Sequence, residues 1–248
     1  MLITLTDAVN LMAMFAVILA GGFGKRLRPL TDDRPKPLVE VAGRPILAWQ
    51  IDWLREQGVT DIILAVGYLG GKIFDYIGDG SQFGVRVYYS VEREPLGTGG
   101  AVRNALKYIN DDGFIVVNGD VITNLRIGKL MDSLQRGVIG AIALTPLKSP
   151  YGIVQVDEDG FILNFQEKPQ LPYLINAGVY ALRTSIRDYL PEKGDIEVYT
   201  FPRLAKDKKL IGITYNDVYW KSIDTLKDLE EADKAINEQG VFNNKVKG

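Results

Sequence analysis

The feature that most restricts how this chain can fold is the apolar run Phe15-Ala16-Val17-Ile18-Leu19, which passes directly into Ala20-Gly21-Gly22-Phe23-Gly24. Five apolar residues without a polar interruption read as a buried strand. The glycines that follow keep side chains away from the sheet edge, so that backbone N–H groups can face an anion. Lys25, Arg26, Arg28 and Lys36 crowd around this turn, and prolines at 29, 35 and 37 limit its freedom. An isolated glycine cluster would be a tight turn and nothing more. With four cations beside it, the turn suits a polyanion.

The rest of the chain repeats the alternation that this strand begins. Strand-length apolar or β-branched runs fall at 62–66, 85–89, 114–117 and 139–144. Helical patterns lie between them. Pro45 suits a first helical position, Leu47, Ile51 and Leu54 share one face, and Gly58 is a stop. Further helices are expected at 99–108 and 127–134. Strand, helix, strand in this order predicts an α/β fold, a Rossmann-like, mostly parallel sheet sandwiched by helices, with ligands at the carboxyl ends of the strands. After Pro146 the rhythm changes: 151–156 and 161–166 flank Asp157-Glu158-Asp159-Gly160 and read as a hairpin. Strands at 176–182 and 211–215 and helices at 197–204 and 225–238 complete a smaller, β-rich lobe on the same sheet. With no linker composition anywhere, residues 15–248 are expected to form one domain, preceded by an extension over 1–14, with Met12 and Met14 as alternative natural starts.

The chain has 248 residues, a formal charge of −2 and neither cysteine nor histidine. Disulfides, thiol nucleophiles, the usual zinc sites and histidine bases are thereby excluded. Catalysis is left to carboxylates, Lys, Arg, hydroxyls, backbone dipoles or a hard cation such as Mg²⁺. The acidic balance argues against a nucleic-acid or membrane-surface partner, and no apolar stretch reaches membrane-spanning length. A cytoplasmic protein is expected.

Two phosphate-binding motifs fail here. A P-loop would need a glycine at position 19 and Ser or Thr at 26, and the dinucleotide fingerprint would need a glycine at 27. What remains is Gly-x-Gly-x-Arg at 22–26 followed by Pro35-Lys36, which resembles the signature of the sugar-phosphate nucleotidyltransferases, or nucleotide-sugar pyrophosphorylases, apart from Lys25 where that family usually has Thr. The resemblance implies that Arg26 and Lys36 act on the triphosphate and that Leu19, Ala20, Gly21, Gly22, Gly24 and Lys25 lie along the nucleotide. Asn118-Gly119-Asp120 ends the run 114–117; in that family the Gly-Asp holds Mg²⁺ through Asp120, with Gly119 beside the sugar. Without the resemblance Asp120 is equally a turn cap. The second metal ligand is carried to Asp224 in Ile223-Asp224-Thr225, where an N-cap of the last helix is the alternative. Many relatives place this acid two residues after Trp, a position that is Ser222 here.

Glu167-Lys168-Pro169 resembles the family's sugar segment, giving Lys168 the sugar phosphate and Glu167 a hydroxyl; a solvated hairpin end is the plain alternative. Asn176 and Gly178 are implied on the same side, where a simple turn competes. Glu92 and the segment Pro95-Leu96-Gly97-Thr98 resemble the base-binding region of guanylyltransferases. A carboxylate at Glu92 can accept from both guanine N1–H and N2–H₂. The resemblance is nearest to mannose-1-phosphate guanylyltransferases and covers 15–229. It implies Mg²⁺, a nucleoside triphosphate and a sugar 1-phosphate, and leaves homo-oligomerisation open. Thymidylyl-, uridylyl- and cytidylyltransferases, a heptose-1-phosphate guanylyltransferase and a non-catalytic nucleotide-sugar-binding subunit are the alternatives.

Overall fold

The computed structural model describes residues 14–242, so most of the expected 1–14 extension lies outside the described residues. The chain runs β1 (Met14–Leu19), a short hairpin β2 (Glu40–Val41) and β3 (Arg44–Pro45), α1 (Ile46–Arg55), β4 (Val59–Val66), α2 (Gly70–Ile77), β5 (Arg86–Val91) and α3 (Gly97–Ala105). It continues through β6 (Gly113–Asn118), β7 (Val121–Thr123), α4 (Gly128–Ser133), β8 (Gly140–Lys148), β9 (Ile153–Val156), β10 (Ile162–Gln166) and β11 (Gln170–Arg183). Last come α5 (Ile196–Tyr199), α6 (Phe201–Lys206), β12 (Leu210–Thr214), β13 (Trp220–Ser222) and α7 (Leu226–Gln239).

Seven strands form one sheet in the order β12-β8-β11-β6-β1-β4-β5. β6, β1, β4 and β5 are parallel, β12 is parallel to β8, and β11 runs antiparallel to both β6 and β8. Of the smaller lobe, β11 and β12 therefore extend the main sheet, whereas the β9–β10 hairpin, expected on the same sheet, forms a two-stranded sheet of its own. From β1 the chain builds outward through β4 and β5, then returns to place β6 on the other side of β1. That reversal opens a crevice at the carboxyl ends of β1 and β6, where ligands bind in open α/β sheets. Leu19 is in register with Asn118 there, so the glycine turn and Gly119-Asp120 leave the sheet side by side.

Alternating strand residues feed two cores. Ala16, Ile18, Ile62, Leu64, Ile115 and Val117 pack with α1, α2 and α4, whereas Phe15, Val17, Ile63, Phe114 and Val116 pack with α3, α5 and α6. A third cluster bears directly on the crevice, because Leu27, Ile122 and Ile223 meet Ala232 and Ile236 of α7 in it. One apolar contact set thus fixes the basic loop, the residue two after Asp120 and the residue before Asp224.

Two local expectations shift. Pro45 is the N-cap of α1 rather than its first residue, because it is engaged opposite Glu40 in the β2–β3 pair. Thr225, not Asp224, caps α7: its hydroxyl accepts from the Asp228 amide while the Asp228 carboxylate accepts from the Thr225 amide. Asp224 is thereby released to face the crevice. Among the described residues no helix is long and apolar enough to cross a membrane.

Candidate active site

The crevice is a cleft of about 410 Å³, within the ~300–1,000 Å³ usual for small-molecule sites. Its floor is the turn after β1. Gly24 has φ +61°, its carbonyl accepts from the Thr31 hydroxyl at 2.9 Å, and a Cβ there would stand 3.0 Å from Lys36 Cβ. A left-handed residue without a side chain is what lets the basic loop fold back on the Lys36 segment. Lys25 lies over the Phe23 ring at 5.6 Å from its centroid, facing the same cleft.

Charge is concentrated where three segments meet. Lys36 Nζ donates to Asp120 Oδ2 at 2.6 Å and to Asp224 Oδ1 at 2.9 Å, and Arg26 Nη2 donates to Asp224 Oδ1 at 2.7 Å. The pairing of β13 with β7 makes this possible, and the Ile223 amide extends it by donating to the Asp120 carbonyl at 2.9 Å. Burial pushes the Asp224 carboxyl up, but hydrogen bonds from Lys36 and Ser222 together with the Lys36 and Arg26 charges outweigh it and hold the group below the usual carboxylate range. Ser222, which occupies the alternative ligand position, donates to Asp224 Oδ2 at 3.0 Å and so orients the acid.

A divalent cation fits this donor set. Two carboxylates, one from the turn between β6 and β7 and one from the segment after β13, converge on a single cationic nitrogen, and Mg²⁺ is commonly held by one or two carboxylates with phosphate oxygens and water completing its shell. Among the described residues no group of three or more His, Cys, Asp or Glu side chains could hold a metal, so the remaining ligands would have to come from substrate and solvent.

Of the nucleotide-side candidates, Leu19, Ala20, Gly21, Gly22, Gly24, Lys25, Glu92, Pro95, Gly97 and Thr98 all line the cleft, as does Gly119. Two have structural duties. Glu92 Oε2 accepts from the Leu96 amide at 3.1 Å while Oε1 lies against Gly21, so only part of the carboxylate remains for a ligand. Burial raises the Glu92 pKa, with the Leu96 hydrogen bond opposing it. The Thr98 hydroxyl donates to Glu197 at 2.6 Å and accepts from the Ile196 amide, which ties α3 to α5.

Of the five sugar-side candidates only Gly119 lines the cleft; Glu167, Lys168, Asn176 and Gly178 are not among the lining residues. Glu167 and Lys168 sit exposed at the end of β10, 3.6 Å from each other, and Lys168 has φ +45°. The Asn176 side chain donates to the Tyr180 hydroxyl and accepts from the Gly178 amide. Gly178 packs against Asn118, which a Cβ would meet at 2.8 Å, and Asn118 lines the cleft. Sequence reasoning did not single out Phe23, Pro37, Ala101, Asn118 or Asp195, which also line it. Asn118 stood in the quoted Asn-Gly-Asp; Asp195 lies in a polar loop with no local signal.

The fold and site are those of a nucleotidyltransferase framework. A family model described as nucleotidyl transferase matches residues 15–239, and the chain belongs to that family. It is 38% identical over 222 residues to the mannose-1-phosphate guanylyltransferase catalytic subunit beta of Drosophila pseudoobscura pseudoobscura, covering 86% of this chain and 60% of that protein. The chain thus spans about 60% of the length of that curated relative. Among solved structures, HddC from Yersinia pseudotuberculosis, known also in complex with GMP-PN, superposes with a TM-score of 0.73 at 32% identity, covering 90% of this chain and 100% of HddC. A UDP-glucose pyrophosphorylase bound to UDP-glucose shares the fold, with a TM-score of 0.69 at 19% identity, over 92% of this chain and 100% of its own.

Proposed function

We propose that this protein joins a nucleoside triphosphate to a sugar 1-phosphate, releasing pyrophosphate, with GTP and mannose 1-phosphate as the substrates. The observation that carries the reading is the convergence of Asp120, Asp224, Lys36 and Arg26 beside the glycine turn. A phosphate oxygen of the sugar 1-phosphate attacks the α-phosphorus, a P–O bond forms, and the bond to the β-phosphate oxygen breaks. The nucleophile is already an anion at neutral pH, so no general base is required, in keeping with a chain without histidine.

The residues divide the work by charge. Gly21, Gly22 and Gly24 give the triphosphate access to backbone N–H groups. Lys36, already between two carboxylates, and Arg26, at the cleft mouth, offset negative charge that builds on the departing pyrophosphate. Lys168 receives the sugar phosphate, with Glu167, Asn176, Gly178 and Gly119 along the sugar. Asp120 and Asp224 would hold Mg²⁺, which when bound neutralises phosphate charge and orients the α-phosphate. Glu92 faces the base through Oε1; the name of the guanylyltransferase relative and the GMP-PN complex of HddC support guanine as that base. The cytoplasm supplies nucleoside triphosphates, and the reaction is assigned there.

Pyrophosphate release from GTP, ATP, CTP, UTP and dTTP, each with mannose 1-phosphate and other sugar 1-phosphates, tests the reading. The expected result is turnover with GTP and mannose 1-phosphate that EDTA abolishes. Preference for a pyrimidine nucleotide would overturn the base assignment, and no turnover with any pair would overturn the reaction.

A further inference from the structure

Helix α1 reaches the segment that follows β6 through a stripe of hydrogen-bonding side chains. Gln50, Trp53 and Gln57 are three and four residues apart, the spacing that puts side chains on one side of a helix and of the turn that ends it. Each holds backbone of the 118–127 segment. Gln50 Nε2 donates to the Asn118 carbonyl at 2.8 Å and to the Val121 carbonyl at 2.9 Å; Trp53 Nε1 donates to the Leu125 carbonyl at 3.0 Å; Gln57 Oε1 accepts from the Ile127 amide at 2.8 Å. Gln50 is only 1% exposed. Its Oε1 is buried and has no hydrogen-bond partner among the described residues, so burying this amide costs more than burying an aliphatic side chain of its size. The donor end is the part the fold uses.

We propose that Gln50 is a positioning residue for Asp120. The inference rests on the reading of Asp120 as a cation ligand in nucleotidyl transfer. The two carbonyls that Gln50 binds flank Gly119-Asp120, one closing β6 and the other opening β7. An amide NH₂ carries two hydrogens, one for each. The opposite orientation of the amide would set Oε1 against two oxygens, so the surroundings fix which end faces the turn. Without that nitrogen two buried carbonyl oxygens would face each other unpaired, and the turn would relax by spreading.

The restraint on the Asp120 side chain itself is shared with another task. Lys36 holds the carboxylate at 2.6 Å, but in the reaction proposed above the same ammonium also serves the triphosphate, which loosens that hold. The backbone beneath Asp120 must then aim it. That backbone is tied on three sides: the Gly119 amide donates to the Leu19 carbonyl at 3.1 Å, the Ile223 amide donates to the Asp120 carbonyl at 2.9 Å, and Gln50 spans the turn from α1. Of these ties only that of Gln50 comes from a side chain. It can be removed without altering the main chain.

Binding of Mn²⁺ together with GTP tests the proposal, without sugar phosphate so that nothing turns over, and read from the electron paramagnetic resonance signal of the unbound ion. Gln50→Met keeps the length of the side chain and removes both donors, whereas Gln50→Asn keeps the amide but draws it back by one methylene. Both should bind ion and nucleotide about ten-fold more weakly and lose about ten-fold in kcat for pyrophosphate release, with KM for the sugar 1-phosphate unchanged. Gln57→Ala is the control, because it removes a tie from the same helix to the same segment away from Asp120. Its thermal transition should fall while binding and kcat stay at wild type. A folded Gln50 variant of either kind with wild-type binding and kcat would overturn the proposal, as would a Gln57→Ala protein that loses as much of both. Asp120→Asn separates the proposal from the reading beneath it. If that variant binds Mn²⁺ and GTP as the wild type does, Asp120 is no cation ligand and both fall; if it binds weakly while the Gln50 variants do not, only the proposal falls.

Discussion

Gly119→Ala isolates the geometric requirement of the site from its charge. A Cβ on residue 119 would stand 2.3 Å from the Leu19 carbonyl oxygen, where real Cβ atoms essentially never approach within 3.0 Å. That oxygen belongs to backbone at the end of a central strand and also accepts from the Gly119 amide at 3.1 Å, so it has little room to yield. The turn after β6 must therefore retreat by roughly 0.7 Å, carrying Asp120 away from Lys36 and Asp224. A displacement near 1 Å at a reacting centre costs about 100-fold, so kcat should fall by roughly 30- to 100-fold. Overpacking of this sort costs about 1–3 kcal/mol of stability. Pyrophosphate-release kinetics and thermal unfolding read the two effects. Gly128→Ala is the control: a Cβ at this α4 position meets nothing within 4 Å, and the variant should be neutral or stabilised by about 0.5–1 kcal/mol. A Gly119→Ala enzyme with wild-type kcat and stability would refute the reasoning.

Three further outcomes follow from the same geometry. Asp61, almost wholly buried, accepts from Arg86 at 2.7 and 2.6 Å and from Thr60 at 2.6 Å; Asp61→Asn should cost about 2–3 kcal/mol by chemical denaturation. Burial raises its pKa, but the hydrogen bonds from Arg86, Thr60 and Tyr88 bring it below 3.8, so its stabilisation is complete above that value, is lost as pH falls through the lower folded value, and should be missing from the acid limb of the variant. The raised pKa of Glu92 predicts that kcat/KM for GTP declines on the acid side above the ordinary glutamate value as the acceptor is protonated, and Glu92→Gln should remove that limb while lowering the plateau about ten-fold. Arg26→Ala should lower kcat more than it raises KM for the nucleotide, as expected of a cation that acts on the departing pyrophosphate; a change in KM alone would reassign it to ground-state binding.

The core of the fold was legible because it is written locally. The apolar runs at 15–19, 62–66 and 114–117 are buried parallel strands, and the glycine turn lies at their carboxyl edge. α2 was missed because Gly70-Gly71 opens it and Gly78 closes it, giving poor helix propensity to a segment held by buried Ile73 and Ile77. The β7–β13 ribbon joins residues about a hundred positions apart, and nothing near Trp220 in the chain announces its partner. Yet that ribbon brings Asp224 to Asp120. The motif supplied the residue, and only the tertiary pairing explains why it faces the cleft and why Thr225 takes the cap. Glu92 and Thr98 were recognised as cleft residues, but their bonds to Leu96, Ile196 and Glu197 could not be read from spacing, because they depend on how the loops fold over one another.

The claim at the centre of this account is that Asp120 and Asp224 act as one unit on the same cation and phosphate. It is tested most directly by kcat for Asp120→Asn, Asp224→Asn and the double variant, measured with saturating GTP, mannose 1-phosphate and Mg²⁺. Each single change should reduce kcat by at least ~100-fold, and the double variant should fall little below the worse single one, because groups that share one task lose it once. Losses that multiply in the double variant, or either single variant at wild-type kcat, would contradict a shared site.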